Sequence, residues 1–371
     1  MSSDVIIGGG VSALIASLYL SKPVLTVTRP AKRNPFASRI LVSGNGRCNF
    51  FNSMLLMSSY KDTFLEPYEE IVHDGINYAK ALLSFLKDNG ISWYVDGGLY
   101  YPFFNRAKDF YDVLMKGLAE KSHQIIYGEV TSVDKANHVI TYTENGETKT
   151  LTYDRIMLDV GGMSYDRDSY GKPLVYSLGI PYTPFSPSLC PVKIKEKIPS
   201  SAVGQRLKGR ISLLSGGETL YSEEGEVLLK KDGLSGIAVF NATHFINERL
   251  KKDPNASFSM EIGYSSHDSA LLSPETALPD FVKDLSKTSL SRTFGTLLYT
   301  FEGFYPFKDS QVSSGGLQLS AIDGHTMSLK DDPSFFAAGE CIDASLPCGG
   351  FNIGTAMIEG LKIGKTWEDG V

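Results

Sequence analysis

Short, wholly apolar runs mark both ends of the chain. Val5-Ile6-Ile7 has no polar position to turn toward solvent, the pattern of a strand buried on both faces of a parallel sheet. After Gly8-Gly9-Gly10 the period changes. Val11 to Leu20 carries apolar residues at helical spacing, Pro23 ends it, and Val24-Leu25-Thr26-Val27 reads as a second strand. Strand, glycine turn, helix and strand make a β-α-β unit of roughly 30 residues. Near the other end, Ser334 to Ala338 repeats the buried-strand pattern. It leads through Gly339-Glu340, a loop and Gly349-Gly350 into a small-residue helix from Asn352 to Ile363. A nucleotide-fold strand and helix at this position predict one domain completed by both ends of the chain.

The intervening pattern is mixed. Residues 30–53 form a polar, glycine-containing loop. Val72 to Lys87 reads as a helix closed by Asn89-Gly90, and Asn105 is placed to cap a second, with Ala107, Phe110, Val113, Leu114 and Leu118 as its stripe. From Gln124 to Val160 the period is two, and Asn145-Gly146 is a strong hairpin signal, so a small antiparallel ribbon is expected within the parallel sheet. Pro181 to Pro191 is the candidate linker. Beyond it Val192 to Lys195 alternates, Leu220 to Leu229 reads as a hairpin around Glu224-Gly225, and Ser235 to Leu250 and Pro274 to Leu285 read as helices. The chain returns to the first domain near Tyr305–Gly316.

The expected fold is therefore α/β. A Rossmann-type domain, a parallel sheet with a small antiparallel ribbon, is built from residues 1–185 and 306–371. An inserted β-barrel-like α+β domain spans 186–305, with a short helical subdomain at 265–300.

Composition narrows the function classes. With 371 residues and 42 % hydrophobic content the core suffices for two domains. A net charge of −6 gives no global basic field, so nucleic acid is not an expected partner. The four cysteines (Cys48, Cys190, Cys341, Cys348) contain no Cys-x-x-Cys, and the six histidines have no metal-ligand spacing. They read as reduced thiols in a cytoplasmic protein without a metal site. The apolar start lacks a basic segment, contains three glycines and is shorter than the ~20 residues a bilayer needs, so no membrane partner is expected.

The chemistry starts at Gly8-Gly9-Gly10-Val11-Ser12-Ala13, a Gly-x-Gly-x-x-Gly/Ala match between strand and helix. Gly8 permits the tight turn, Gly10 lets backbone approach a pyrophosphate, and Ala13 lets the helix pack close. The helix amides and dipole then favour the phosphates. The acid usually found about 20 residues on, which bonds a ribose hydroxyl, is absent. Thr28 stands there, followed by Arg29, a pair that also suits the 2′-phosphate of NADP. The N-terminus alone leaves FAD and NADP open.

Two distant segments favour flavin. One is Ser43-Gly44-Asn45-Gly46-Arg47-Cys48-Asn49. The other is Ala338-Gly339-Glu340, Asp343 and Pro347-Cys348-Gly349-Gly350-Phe351-Asn352. A small residue, an acid, a Gly-Gly turn and a helix suit one end of an isoalloxazine. Glu340 and Asp343 accept from ribitol hydroxyls or lie near the pyrophosphate, and helix amides favour the reduced ring. Arg47 reads as a ligand contact, through the pyrophosphate or a flavin carbonyl. Cys48 reads as packing rather than as a redox thiol, and a Cys341–Cys348 dithiol relay is disfavoured. Tyr165, Tyr305 and His325 are candidate proton donors, none of them assigned.

These segments resemble the bacterial aminoacetone-oxidase-like FAD-dependent oxidoreductases, whose relatives include a bile-acid 3-dehydro-Δ4,6-reductase. The resemblance covers most of the chain: the Gly-Gly-Gly start, Gly44 to Asn49, Asp159-Val160-Gly161-Gly162-Met163-Ser164-Tyr165, Asp232 to Gly236, Ser313 to Leu317, Ala338-Gly339-Glu340 and Gly349 to Asn352. It implies an FAD domain from both termini, an inserted barrel-like domain with a helical subdomain, and a tightly bound FAD with NADH or NADPH as transient reductant. The chain departs from the family at Thr28, which replaces the acidic ribose ligand, and at Asp159-Val160, which replace Ala-Thr before the Gly-Gly. The helical insert is also short.

The cofactor-binding set expected from these readings is Gly8, Gly10, Val11, Ser12, Ala13, Thr28, Arg29, Gly46, Arg47, Cys48, Val130, Gly161, Gly339, Glu340, Asp343, Gly349, Gly350, Phe351 and Asn352. The expected function is hydride transfer through bound flavin, an NAD(P)H-linked reduction of an unsaturated or carbonyl small molecule. An NADP-dependent dehydrogenase using Thr28-Arg29 and a non-catalytic FAD-binding protein are the alternatives.

Overall fold

The computed structural model describes residues 4–29, 36–74, 76–164, 171–264, 279–291 and 295–370. The chain divides into two units. The first takes Met1–Gly162, Asp168–Phe185 and Gly315–Val371; the second is mainly Ser186–Ser314.

In the first unit the glycine turn joins β1 (Asp4–Gly8) to α1 (Val11–Tyr19), and β2 (Leu25–Thr28) follows. Two amphipathic helices come next, α2 (Tyr78–Asp88) and α3 (Ala107–Ala119). The expected helix from Val72 starts later because residues 73–77 pair as a small ribbon, and the Asn77 side chain caps α2 by accepting from Lys80 N at 2.9 Å. Asn105 does not cap α3; it lies at φ +57°, and Arg106 holds the cap position without a side-chain bond.

The period-two region forms β3 (Gln124–Tyr127), β4 (Glu129–Asp134), β5 (Val139–Glu144), β6 (Glu147–Thr152) and β7 (Arg155–Asp159). Strands β4, β5 and β6 make the antiparallel ribbon, and Asn145-Gly146 turn between β5 and β6 with positive φ. The chain returns with β8 (Asp332–Ala337) and ends on α4 (Phe351–Asp369). The main sheet runs Ser328–Leu329, β8, β7, β1, β2, β3, parallel throughout except at the first strand. Its central residues, among them Val5, Ile6, Ile7, Ile156, Met157, Leu158, Phe335 and Phe336, are at most 1 % exposed, so apolar burial of about 1.5–3 kcal/mol per large side chain holds it together.

Helix α4 lies on α1 at very short range. A Cβ at Gly360 would overlap the Ser12 carbonyl, and one at Gly364 would press on Tyr19 Cβ at 2.9 Å. At the opposite end of β1, Arg155 clamps Asp4 with two bonds of 2.9 and 2.7 Å, donates to Trp367 O at 3.1 Å and lies over the Trp367 ring.

The second unit holds a closed six-stranded antiparallel barrel, built from Val192–Ile194, Gly233–Ser235, Glu218–Lys230, Arg206–Ser215, Ser259–Gly263 and Thr296–Phe304 in that order around the wall. The helix Ile237–Lys252 packs on it. One expectation fails here. The hairpin turns at Gly216-Gly217, both at positive φ, whereas Glu224-Gly225 lies inside the long strand. Gly225 is there for contact: a Cβ would sit 3.1 Å from Ala238 Cβ on the helix. The chain passes from the first unit to the second within the expected Pro-rich linker, at Phe185–Ser186, and the stretch is also a strand, Tyr182–Ser188, paired with Val312–Leu317, where prolines are tolerated on an unpaired edge. Of the expected helical segment, Asp280–Thr288 is helical, while residues 265–278 and 292–294 lie outside the described residues.

Substituting Gly360→Ala tests the α1–α4 packing. Urea unfolding should show a loss of about 1–3 kcal/mol, the usual cost of overfilling a tight contact, whereas Gly303→Ala, whose Cβ would meet nothing within 4 Å, should cost less than about 1 kcal/mol.

Candidate cofactor site

The turn after β1 has a backbone geometry that admits no side chain. Gly8 lies at φ +103°, and a Cβ there would fall on the Asp159 carbonyl; a Cβ at Gly10 would fall on the Asp159 carboxylate. Only glycine allows that approach. Gly10 is the N-cap of α1 and supplies no side-chain bond, and the first turn has no acidic residue. Leu14 N is the first amide bonded within the helix, to Gly10 O at 3.2 Å. The amides before it need partners from elsewhere.

One partner is Asp159 at the end of β7, whose Oδ2 accepts from Ala13 N at 2.7 Å. Its carboxyl group is 3 % exposed, and burial, opposed by the amides of Ala13 and Gly10 and reinforced by Glu340, pushes its pKa up to about 7. Ser12 is fully buried and its hydroxyl has no partner. Gly9, Gly10 and Val11 remain half-buried. A glycine cradle that no Cβ could share, helix amides and a buried hydroxyl without a partner together fit the phosphates of a dinucleotide.

At the end of β2, Thr28 is buried and its carbonyl accepts from Gly128 N at 2.9 Å. Arg29 pairs with Glu129 at 2.7 Å, so its charge is shared with an acid. That pairing weakens the case for a 2′-phosphate acceptor and places a carboxylate beside the position where Thr28 lacks one. Val130, next to Glu129, is buried at the start of the ribbon.

The Gly44–Asn49 loop meets the start of α4. With its side-chain amide assigned the orientation its neighbours require, Asn49 accepts from Gly350 N at 3.3 Å and donates to Phe51 O at 3.1 Å. A Cβ at Gly350 would overlap both groups. Asn52 Nδ2 donates to Gly349 O at 2.8 Å. Gly46 is exposed at φ +81°. Arg47 is exposed, lies 4.5 Å over the Tyr101 ring and donates through Nε to Asn105 at 3.0 Å, which is why Asn105 is unavailable as a cap. Cys48 is buried, and burial pushes its thiol up to about 12, so it is a packing residue without thiolate character.

At the C-terminal segment, Gly339 bonds through its amide to Glu359 Oε2 at 2.7 Å, and Glu340 is half-buried near Asp159. Asp343 is buried and its Oδ1 accepts from Gly315 N at 3.0 Å, a structural bond. The Asn352 side chain bonds Leu346 N at 2.8 Å and Leu346 O at 2.7 Å, so it shapes the loop before α4. Phe351, the first residue of α4, is buried, and Gly161 at φ +70° has open space around it.

Other candidates are occupied or lie apart. Tyr165 lies outside the described residues. Tyr305, in the second unit, donates its hydroxyl to Asp232. His325 bonds Glu70 at 2.7 Å and also Asp74, and the acids raise its pKa. Cys341 is buried and donates to Ala338 O at 3.0 Å, and Cys348 is half-buried; none of the four cysteines is bridged.

By sequence Asp159 is a departure from the family pattern and is absent from the expected cofactor-binding set. Its signal was a lone acid closing an otherwise apolar strand, Ile156-Met157-Leu158. Glu129 and Glu359 gave no local signal, because only the folded chain brings them to the ends of β2 and β8.

The model of the HI0933-like protein Rossmann domain matches residues 2–366. The chain is 24 % identical to the 3-dehydro-bile acid delta(4,6)-reductase of Clostridium scindens, an alignment covering 97 % of each chain. It is 21 % identical to the ribosomal RNA dihydrouridine synthase of Haemophilus influenzae, over 95 % of this chain and 94 % of the relative. The open conformation of a flavocytochrome c3 fumarate reductase shares the fold with a TM-score of 0.51, at 14 % identity over 99 % of this chain and 77 % of that one. The chain belongs to the HI0933-like Rossmann family.

Proposed function

We propose that the domain formed by residues 1–185 and 306–371 binds FAD, with its pyrophosphate at the start of α1, and reduces a carbon–carbon double bond conjugated to a carbonyl group. As a member of its family the chain is a flavin-dependent oxidoreductase. The observation that carries the reading is the glycine turn pressed onto Asp159 beneath an uncapped helix start. When bound, FAD supplies two-electron storage and hydride transfer.

The chain's own residues divide the remaining work. Gly8 and Gly10 keep the turn free of side chains, and the amides of Val11 and Ser12 face the phosphates with the α1 dipole behind them. Glu129, with Arg29, takes over the ribose end of β2, where Thr28 has only a hydroxyl. The Asn49–Gly350 and Asn52–Gly349 bonds fix the start of α4, which carries Phe351 and Asn352 toward the flavin end.

The substrate class rests on the names of two relatives. A delta(4,6)-reductase acting on a 3-dehydro-bile acid and a synthase of dihydrouridine both saturate an alkene conjugated to a carbonyl. NADH or NADPH is the proposed source of the hydride. A small molecule is favoured over RNA because the net charge is −6.

Protein purified and supplied with FAD should show flavin absorption that bleaches with NADH or NADPH under anaerobic conditions and returns on adding an unsaturated 3-oxo steroid. Return only with ribosomal RNA would assign the RNA substrate instead; absence of flavin bands would sink the FAD reading. Gly10→Ala should weaken FAD binding at least about tenfold, or ~1.4 kcal/mol, in a flavin fluorescence titration, since its Cβ displaces the Asp159 carboxyl group from the cradle.

A further inference from the structure

We propose that Asp159 makes cofactor loading proton-coupled: its carboxyl group occupies part of the amide cradle at the start of α1 and takes up a proton when the FAD pyrophosphate binds there. The inference rests on the FAD reading above and deepens it.

The geometry puts two negative groups in one place. The Asp159 carboxyl group accepts from Ala13 N at 2.7 Å and touches Gly10, and the position of a Cβ on Gly339 lies 2.7 Å from its Oδ1. It is thus enclosed between the first turn of α1 and the Gly339 turn. Ser12 Oγ, fully buried and without a partner, faces the same Gly339 turn, 3.4 Å from that Cβ position. A ligand at Val11 and Ser12 would satisfy this hydroxyl and would at the same time lie against the carboxylate. Like charges sharing an enclosed site cannot both stay ionised cheaply, and the group that can take a proton does so. Protonated, Asp159 still accepts from Ala13 N through its carbonyl oxygen and gains an O–H donor.

Among the described residues around Asp159, no cation is bonded to it. The first turn of α1, Val11 to Leu14, carries no charged side chain. The Gly339–Cys341 turn brings Glu340 and the buried thiol of Cys341. Helix α4 brings Glu359, itself pushed up to about 8 by burial, and Lys362. The Lys362 ammonium is directed elsewhere, donating to Glu70 O at 2.7 Å and to Gly324 O. Without any ligand, burial, reinforced by Glu340 and opposed by the Ala13 and Gly10 amides, already lifts Asp159 to about 7. The proton comes from solvent, so each FAD bound above that pH consumes up to one proton.

The test is a set of binding titrations from about pH 6 to about pH 8.5, with FAD followed by fluorescence and with ADP and adenosine followed by calorimetry. FAD and ADP affinity should fall roughly tenfold per pH unit above pH 7, with proton uptake visible as a dependence on buffer ionisation enthalpy, and adenosine should show no slope. Asp159→Asn, which keeps an acceptor for Ala13 N, should bind FAD at pH 8 roughly tenfold more tightly than the wild type and without the slope. Glu359→Gln should keep it. Circular dichroism confirms that each variant is folded, and Asp159→Ala serves where Asn does not fold. Wild-type FAD binding without a slope, or a slope that survives Asp159→Asn, overturns the proposal and leaves the FAD reading intact. FAD binding by the Asp159 variants alone supports it in its strongest form. ADP binding with the slope but no FAD binding upholds the role of Asp159 and overturns the flavin assignment. No binding of either ligand by any form overturns both.

Discussion

The close contact between α1 and α4 is the constraint on which the rest of the first unit depends. Gly360 sits on the Ser12 carbonyl and Gly364 on Ala16 and Tyr19, so the two helices approach closer than any side chain would allow. Residues some 350 positions apart in the chain are thereby fixed side by side, and β8 is held in the sheet beside β7. The same approach brings Glu359, the neighbour of Gly360, under the Gly339 turn, where it accepts the Gly339 amide. Two buried carboxylates, Asp159 and Glu359, therefore flank one turn because two backbones had to be close. At the far end, the Arg155 clamp on Asp4 and Trp367 ties β1, β7 and α4 together.

Much of this was legible because it depends on local pattern. Val5-Ile6-Ile7 and Phe335-Phe336-Ala337, bounded by glycine turns, read as buried strands, and the glycine turn and Asn145-Gly146 have conformational requirements that few residues meet. The errors share a cause: a residue with a local role was used for a distant one. Gly225 looked like a turn and instead makes room for Ala238. Asn105 looked like a cap and instead receives Arg47. The Pro-rich linker does contain the passage between the units, but its strand, Tyr182–Ser188, was not legible because its partner is more than 100 residues away. The candidate site divides in the same way. Its glycines were readable as backbone necessities, whereas Glu129 and Glu359 acquire their roles only through tertiary proximity.

Arg47 and Arg29 show how geometry revises a reading based on residue type. An arginine beside a glycine-rich loop suits an anion, yet Arg47 is committed to Tyr101 and Asn105, and Arg29 to Glu129. The described part of the glycine turn therefore presents backbone amides and one hydroxyl, with no guanidinium, and the negative charge nearest to it belongs to the protein itself. A cradle of this kind relies on the α1 dipole and on the protonation of its own acid.

That acid also links the cofactor-free fold to pH, and the sign can be worked out. Folding raises Asp159 from its ordinary 3.8 to about 7, so the folded chain holds a proton that the unfolded chain has released. Its contribution to stability is full below the unfolded value and is lost as pH rises through about 7. Above that point the carboxylate still bonds Ala13 N, and the cost is its enclosure away from water near Glu340. Protonation of this one group thus favours the fold and favours an arriving phosphate, because both oppose the same buried negative charge. A small neutral residue at position 159 would make the two independent; the aspartate makes the state of the empty cradle and its readiness for an anion depend on the same proton.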